Sequence, residues 1–331
     1  MKILICTGIY PPHIGGPAQY AKELDDEFGR QGHSVKILTY GLERKLPTVI
    51  RHKLFFWRTI FSLRGVDLVI ALDTFSVGWP AVCATNLLNK KIIIRTGGDF
   101  LWESYVERTK EGVALKDFYK NYLMKLSLKE RLIFLITRFT LQNASAIAFS
   151  TVWQRDIFTK AYRLKENKNF IIENEYTQKV GDFPTKSKTY LWAGRMLTLK
   201  NVDRLKRAFE NAKKKNSSIE LDIVTGISKA DLLEKMKNCY VFILPSISDI
   251  SPNVVLDAIS LGKPCIVTKE TGINDRIKDV ALFVDPLDEK DIEEKILLLA
   301  DDNKYREIKE NIKNFSFTHS IKQITEEFLK I

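Results

Sequence analysis

The sequence predicts an α/β protein of two doubly wound, Rossmann-like domains facing across a cleft. Three observations predict it. Short β-branched runs alternate with longer amphipathic stretches, and that alternation implies parallel sheets with helices on both faces. The pattern stops once, at the polar residues 174–188 (NEYTQKVGDFPTKSK), and then restarts. The chain has 331 residues, and domains run to roughly 100–200 residues each. Ligands of such sheets bind at the C-terminal ends of the strands, so the cleft is the expected site.

Residues 2–7 open the first domain as a strand, and 18–31 follow as a helix that stops before Gly32. Further strands fall at 35–39, 67–72, 91–95, 146–149 and 170–172. Past the linker, strands at 190–193, 220–224, 240–244, 264–267 and 281–284 interleave with helices at 202–213, 229–237, 252–261 and 288–300. The expected division is 1–175 and 176–314, with a C-terminal helix at about 315–331 packing back on the first domain.

An apolar fraction of 45% and a charged fraction of 28% exclude disordered, collagen-like and disulfide-scaffold classes. The longest apolar runs, at 132–137 and 240–244, fall far short of the roughly 18 residues of a spanning helix. The opening MKILIC is too short for a signal peptide, so a cytoplasmic protein is expected. No two of the four cysteines are spaced CxxC, which predicts buried free thiols. The four histidines show no zinc spacing. Net charge is +11 and uneven: 27 Lys and Arg face 17 Asp and Glu over 1–180, against 25 and 24 over 181–331. Either the N-terminal half meets an acidic partner, or its lysines serve solubility. No known basic–aromatic module appears, so nucleic acid is not expected.

Three motifs carry candidate chemistry. In TGIYPPHIGGPAQ (7–19), Gly15 and Gly16 let backbone approach a ligand at a helix N-terminus, or simply make a tight turn. In WAGRMLTLKNVDRL (192–205), a strand ends at Gly194, and Arg195 and Lys200 follow. Two cations there suit a diphosphate leaving group, or are solvated surface charges. In LPSISDISPNVVLDAISLGKP (244–264), Ser251 reads as N-cap, Pro252 as the first helical residue and Gly262 as the terminator. Asn253 and Val254 then offer backbone donors to phosphate. Asp249 precedes the helix, and Asp257 shares a face with Asn253. Carboxylates accept sugar and ribose hydroxyls; the alternatives are a turn residue for Asp249 and a helix-surface charge for Asp257.

The set GR(x4)K at 194–200, LPS(x2)D(x7)D at 244–257 and an AxxxGxP tail resembles the family 4 glycosyltransferases of GT-B fold. RQGHSVKILT and ALFVDPLDEKDIEEKILLLADDN are similar to that family as well. The resemblance implies a retaining, nucleotide-sugar-dependent hexosyltransferase with an N-terminal acceptor domain and a C-terminal donor domain. Arg195 and Lys200 would bind the diphosphate, Asp249 the sugar hydroxyls and Asp257 the ribose. Residues 251–254 would supply backbone donors, and Gly15 and Gly16 would line the cleft. It implies no cofactor and no metal, because the departing phosphate itself takes the acceptor proton. Both family glutamates are aspartates here. The histidine that many members carry is absent from IIIRTGGDFLWE (92–103), where Asp99 either orients an acceptor hydroxyl or caps the next helix.

Residues 42–64 (LERKLPTVIRHKLFFWRTIFSLR) and 115–141 mix cations with aromatics. Such helices lie on an anionic bilayer, or pack their apolar side on the sheet with the cations solvated. Lipid-linked acceptors are common in the family, so a glycan or lipid-linked glycan acceptor and a peripheral location on the cytoplasmic membrane face are expectations. The different-class alternative is a GT-B binding subunit without catalysis; a third is a sugar-nucleotide 2-epimerase of the same fold.

Overall fold

The computed structural model describes residues 1–13, 15–177, 181, 183–185 and 187–331. Residues 178–180, 182 and 186 of the expected linker, and Ile14 of the glycine-rich motif, lie outside the described residues. Two compact units result. Unit 1 holds Met1–Leu101, Tyr119–Asn174 and Ile321–Ile331, and unit 2 holds Trp102–Phe118 and Glu175–Ser320. The expected division at 175 therefore needs one correction. Residues 102–118 belong to unit 2, where Glu107, Leu115 and Lys116 bond the turn at 198–199, Ser248 and Glu270.

Unit 1 contains β1 (Lys2–Thr7), α1 (Gly16–Arg30), β2 (Ser34–Thr39), α2 (Thr48–Ser62), β3 (Leu68–Ala71), α3 (Gly78–Leu87) and β4 (Ile92–Thr96). The chain then runs through α4 (Phe100–Thr109) and α5 (Leu115–Asn121), whose inner parts lie in unit 2. It returns for α6 (Leu128–Asn143), β5 (Ala146–Phe149), α7 (Val152–Tyr162) and β6 (Asn169–Ile171). All six strands are parallel, in the order β2-β1-β3-β4-β5-β6.

Ile3, Ile5, Ile70 and Ile93 of this sheet form one core with Leu24 and Phe28 of α1 and with Ile324 and Phe328 further on. Against α2 and α6 packs α3, apolar nearly all round and buried along most of its length, as such a helix must be. Asp73 starts α3: its carboxylate accepts N–H bonds from Phe75, Val77 and Gly78, while burial pushes the carboxyl up. A Cβ on Gly78 would stand 2.1 Å from the Asp73 carbonyl oxygen, so only glycine fits this start.

Unit 2 contains β7 (Lys188–Ala193), α8 (Val202–Lys215), β8 (Ile219–Val224), α9 (Lys229–Asn238), β9 (Val241–Leu244), α10 (Asn253–Ser260) and β10 (Cys265–Thr268). After them come α11 (Asn274–Ile277), β11 (Ala281–Val284), α12 (Glu289–Ala300) and α13 (Asp302–Asn314). The last helix, α14 (Ile321–Lys330), belongs to unit 1, where Gln31 donates to the Thr325 hydroxyl at 2.6 Å. The five parallel strands of unit 2 run β11-β10-β9-β7-β8. All four cysteines are free thiols, three of them buried; burial pushes the Cys239 thiol up to about 12. Among the described residues, no helix is long and apolar enough to cross a membrane.

Candidate functional site

In the unit 2 sheet, the chain steps from β7 to β8 on one side and to β9 on the other. The crevice beyond the carboxyl ends of strands at such a reversal is the standard ligand position of doubly wound sheets. The loops after β7 and β9 flank it, and they carry the second and third motifs.

Gly194 ends β7. Its N–H donates to the Val224 carbonyl at 3.2 Å, and a Cβ there would stand 3.3 Å from the buried Trp192 ring. Arg195 is exposed. A single 3₁₀ turn, Thr198–Lys200, follows; Leu199 is buried, and its carbonyl accepts the Ile247 N–H at 2.8 Å. Asn201 closes the turn at φ 60°, and its amide donates to the carbonyls of Pro245 (3.0 Å) and Pro286 (2.6 Å). The turn is thereby tied to the loop after β9.

Lys200 Nζ stands 2.5 Å from Asp249 Oδ2, with both side chains more than four-fifths buried. The two motifs are 49 residues apart in sequence, and the fold joins them in one ion pair. Asp249 is held in turn by its N–H, which donates to the Glu270 carbonyl at 3.0 Å. The helix after it starts one residue later than expected. Pro252, at ψ 100°, is extended and caps α10 from outside; its carbonyl accepts the Val255 and Leu256 N–H groups. Ser251 therefore precedes the cap, and Asn253 and Val254 form the first turn. Asp257 lies four residues on and is 3.6 Å from Lys229 Nζ. The helix ends as the sequence implies. Gly262, at φ 71°, donates to Ile259, and Lys263 N–H donates to Ala258, both at 2.9 Å.

Gly15, Gly16 and Asp99 lie in unit 1. Gly15 adopts φ 150° and caps α1, its carbonyl accepting from Ala18 and Gln19; a Cβ on Gly16 would meet open space. Buried Asp99 accepts the Tyr119 hydroxyl at 2.5 Å, which is itself 2.6 Å from that of Tyr162. Burial first, and then the Asp99 charge, push both phenols well above their ordinary value. The hydroxyl that the structure gives Asp99 is thus the protein's own.

Sequence reading missed four further residues at the site: Glu107, Ser248, Lys116 and Glu270. Glu107 bonds the Lys200 turn, Ser248 precedes Asp249, and Lys116 pairs with Glu270. Their partners are 91, 133 and 154 residues away, a separation no spacing rule reaches. Among the described residues, no group of three or more His, Cys, Asp or Glu is set out to hold a metal ion.

Residues 220–315 match the family model described as "Glycosyl transferases group 1". A curated relative from Campylobacter jejuni, N,N'-diacetylbacillosaminyl-diphospho-undecaprenol alpha-1,3-N-acetylgalactosaminyltransferase, is 35% identical over 81 residues. That match covers 24% of this chain and 22% of the relative, so the chain spans about a fifth of the curated protein it matches. The solved structure of sucrose-phosphate synthase from Thermosynechococcus elongatus superposes with a TM-score of 0.70 at 12% identity, covering 100% of this chain and 98% of that one. A UDP-GlcNAc 2-epimerase from Neisseria meningitidis bound to UDP-GlcNAc gives 0.61 at 11% identity, covering 100% and 99%. Residues 220–315 are thus similar to the glycosyl transferases group 1 model, within a chain of GT-B fold, the fold that the resemblance to the family 4 glycosyltransferases implies.

Proposed function

We propose that the protein is a retaining hexosyltransferase that moves a sugar from a nucleotide-diphosphate sugar to a glycan or lipid-linked glycan. The Lys200–Asp249 pair at the sheet reversal carries this reading, with Arg195 exposed five residues before Lys200 and the α10 N-terminus four residues after Asp249. Lys200 and Arg195 neutralise the departing diphosphate, and the N–H groups of the first turn of α10 receive a phosphate oxygen. Asp257 accepts the ribose hydroxyls, and Asp249 those of the sugar. In unit 1, Gly15 and Gly16 stand at the start of α1, where Gly16 has open space beside it, and Asp99 directly precedes α4. The leaving phosphate takes the acceptor proton, so this chemistry needs neither metal nor cofactor. Transfer is favoured over epimerisation by the curated relative, whose name is that of a transferase, and over passive binding by the retention of all four charged side chains.

A lipid-linked acceptor is supported by the relative's name, which contains a diphospho-undecaprenol, and by the surface of unit 1. That unit holds 25 Lys and Arg against 14 Asp and Glu, a net +11, whereas unit 2 holds 27 of each. Leu54, Trp57 and Phe61 make an exposed stripe along α2; Leu128, Leu132, Leu135 and Phe139 make another along α6. Phe61 is 78% exposed and Leu128 85%. No acidic residue occurs over 44–66, and Glu130, the one acid over 120–143, is buried in the capping box of α6. Exposed apolar stripes on helices rich in cations suit an anionic bilayer.

The test is a panel of UDP- and GDP-sugars screened for thermal stabilisation, followed by donor hydrolysis and transfer in excess chelator. Turnover is expected to persist without metal, and Arg195→Ala to lower it by about 10²–10³ with a smaller effect on donor binding. Stabilisation without hydrolysis would establish the binding-subunit alternative instead.

A further inference from the structure

Trp102–Phe118 packs within unit 2, although its sequence neighbours on both sides belong to unit 1. The segment has contacts of its own. Trp102 Nε1 donates to the Val113 carbonyl at 2.8 Å, and the Tyr105 and Phe118 rings meet at 5.2 Å. Val106, Leu115 and Phe118 are fully buried. This strap touches the loops of the candidate site at three points.

The first point is the turn that carries Lys200. A single 3₁₀ turn leaves its leading N–H groups without partners inside the turn. Glu107 supplies them from the strap: Oε1 accepts the Leu199 N–H at 3.2 Å, and Oε2 accepts the Thr198 hydroxyl at 3.0 Å. Lys110 Nζ reaches both Glu107 (3.2 Å) and Thr198 (2.9 Å). Burial alone pushes the Glu107 carboxyl up; the Leu199 N–H, the Thr198 hydroxyl and the Lys110 ammonium outweigh it and hold the group below the usual carboxylate range. The other two points bracket Asp249. Leu115 N–H donates to the buried Ser248 hydroxyl at 3.0 Å. Lys116 Nζ stands 2.5 Å from the buried Glu270 carboxylate, and the Glu270 carbonyl accepts the Asp249 N–H.

We propose that the strap completes the donor site, with Glu107 and Lys116 as positioning residues: Glu107 fixes the turn that aims Lys200, and Lys116, through Glu270, fixes the backbone that carries Asp249. The inference rests on Lys200 being a phosphate-binding cation. A binding group works only when a supporting layer holds it within a fraction of an ångström. Leu199, Thr198 and Asp249 each take part of that support from the strap.

The experiment is calorimetric binding of UDP or GDP, whichever the full wild-type chain holds more tightly. The variants are Glu107→Gln, Glu107→Ala, Lys200→Ala and the Glu107→Ala/Lys200→Ala double. Lys200→Ala and Glu107→Ala are each expected to weaken binding by roughly tenfold. Glu107→Gln should stay within about threefold, since an amide oxygen still accepts the Leu199 N–H. The double variant should bind no more weakly than Lys200→Ala alone, because Glu107 acts through that lysine. Wild-type affinity in Glu107→Ala, or losses that multiply in the double, overturns the role of the strap. Unchanged affinity in Lys200→Ala overturns the phosphate-binding reading itself. Should Glu107→Ala fail to fold, Thr198→Val removes only the hydroxyl that Glu107 accepts from. A loss of affinity there supports the proposal, and none overturns it.

Discussion

Lys200 and Asp249 are each other's counter-ions at 2.5 Å. If Lys200 binds phosphate as proposed, an arriving diphosphate competes with a carboxylate for the same ammonium. When it wins, Asp249 is released, and a released carboxylate can accept sugar hydroxyls. The two aspartates of the D(x7)D motif then have separable effects. Asp249→Ala should lower transfer while nucleoside diphosphate alone binds as well as before or better, since Lys200 has lost a competitor. Asp257→Asn should weaken donor binding by about tenfold, because a neutral amide replaces a charge-assisted acceptor. Affinity and transfer rate measured on both variants decide the matter. Intact transfer in the first, or unchanged affinity in the second, removes the assignment. At this scale the sequence shows residue types and spacings but not partners: nothing in GR(x4)K or D(x7)D says that the lysine of one meets the aspartate of the other.

The strands are largely legible in the sequence; among the helices, α3, α7, α11 and α13 are not foreseen. The strands at 2–7, 146–149 and 281–284 have the bounds expected of them, and most others shift by one or two residues, as fraying ends do. The start of α10 moved because proline can stand just outside a helix as readily as just inside it. What periodicity could not resolve is the orientation of α2 and α6. Each was open to two readings, apolar side on the sheet or on a bilayer, and each helix has apolar residues enough for both. His52, Phe55 and Thr59 of α2 are buried, while Trp57 and Phe61 are exposed. Ile133, Thr137 and Leu141 of α6 are buried, while Leu132 and Leu135 are exposed. If the exposed stripes meet lipid, Trp57→Ser, Phe61→Ser and Leu132→Ser together should reduce co-sedimentation with anionic vesicles several-fold without lowering the unfolding temperature. These side chains protect little of the core, so a large drop in that temperature would count against the exposed placement. Unaltered vesicle binding would exclude the stripes as the docking surface.

Over the whole molecule, charge and sequence order are distributed differently. All of the net +11 lies in unit 1, and unit 2 is neutral. Salt should accordingly separate two properties. Between about 50 and 500 mM, the Debye length falls from well above to well below 10 Å. Vesicle binding should decline steeply over that range, while nucleoside diphosphate affinity, which the proposed site assigns to the largely buried Lys200, should change far less. Parallel declines in both would mean that one electrostatic surface serves both. The strap has a consequence for inheritance. Unit 2 is assembled from two separate stretches of chain, and the matched family segment, 220–315, lies wholly within the longer one. A chimera joined at the linker would bring the motifs at 192–205 and 244–264 from one parent and the strap from the other. Exchange of C-terminal halves between relatives should therefore succeed only where both parents share the Glu107 and Lys116 contacts, so recombination at this linker tests compatibility between residues on opposite sides of the crossover.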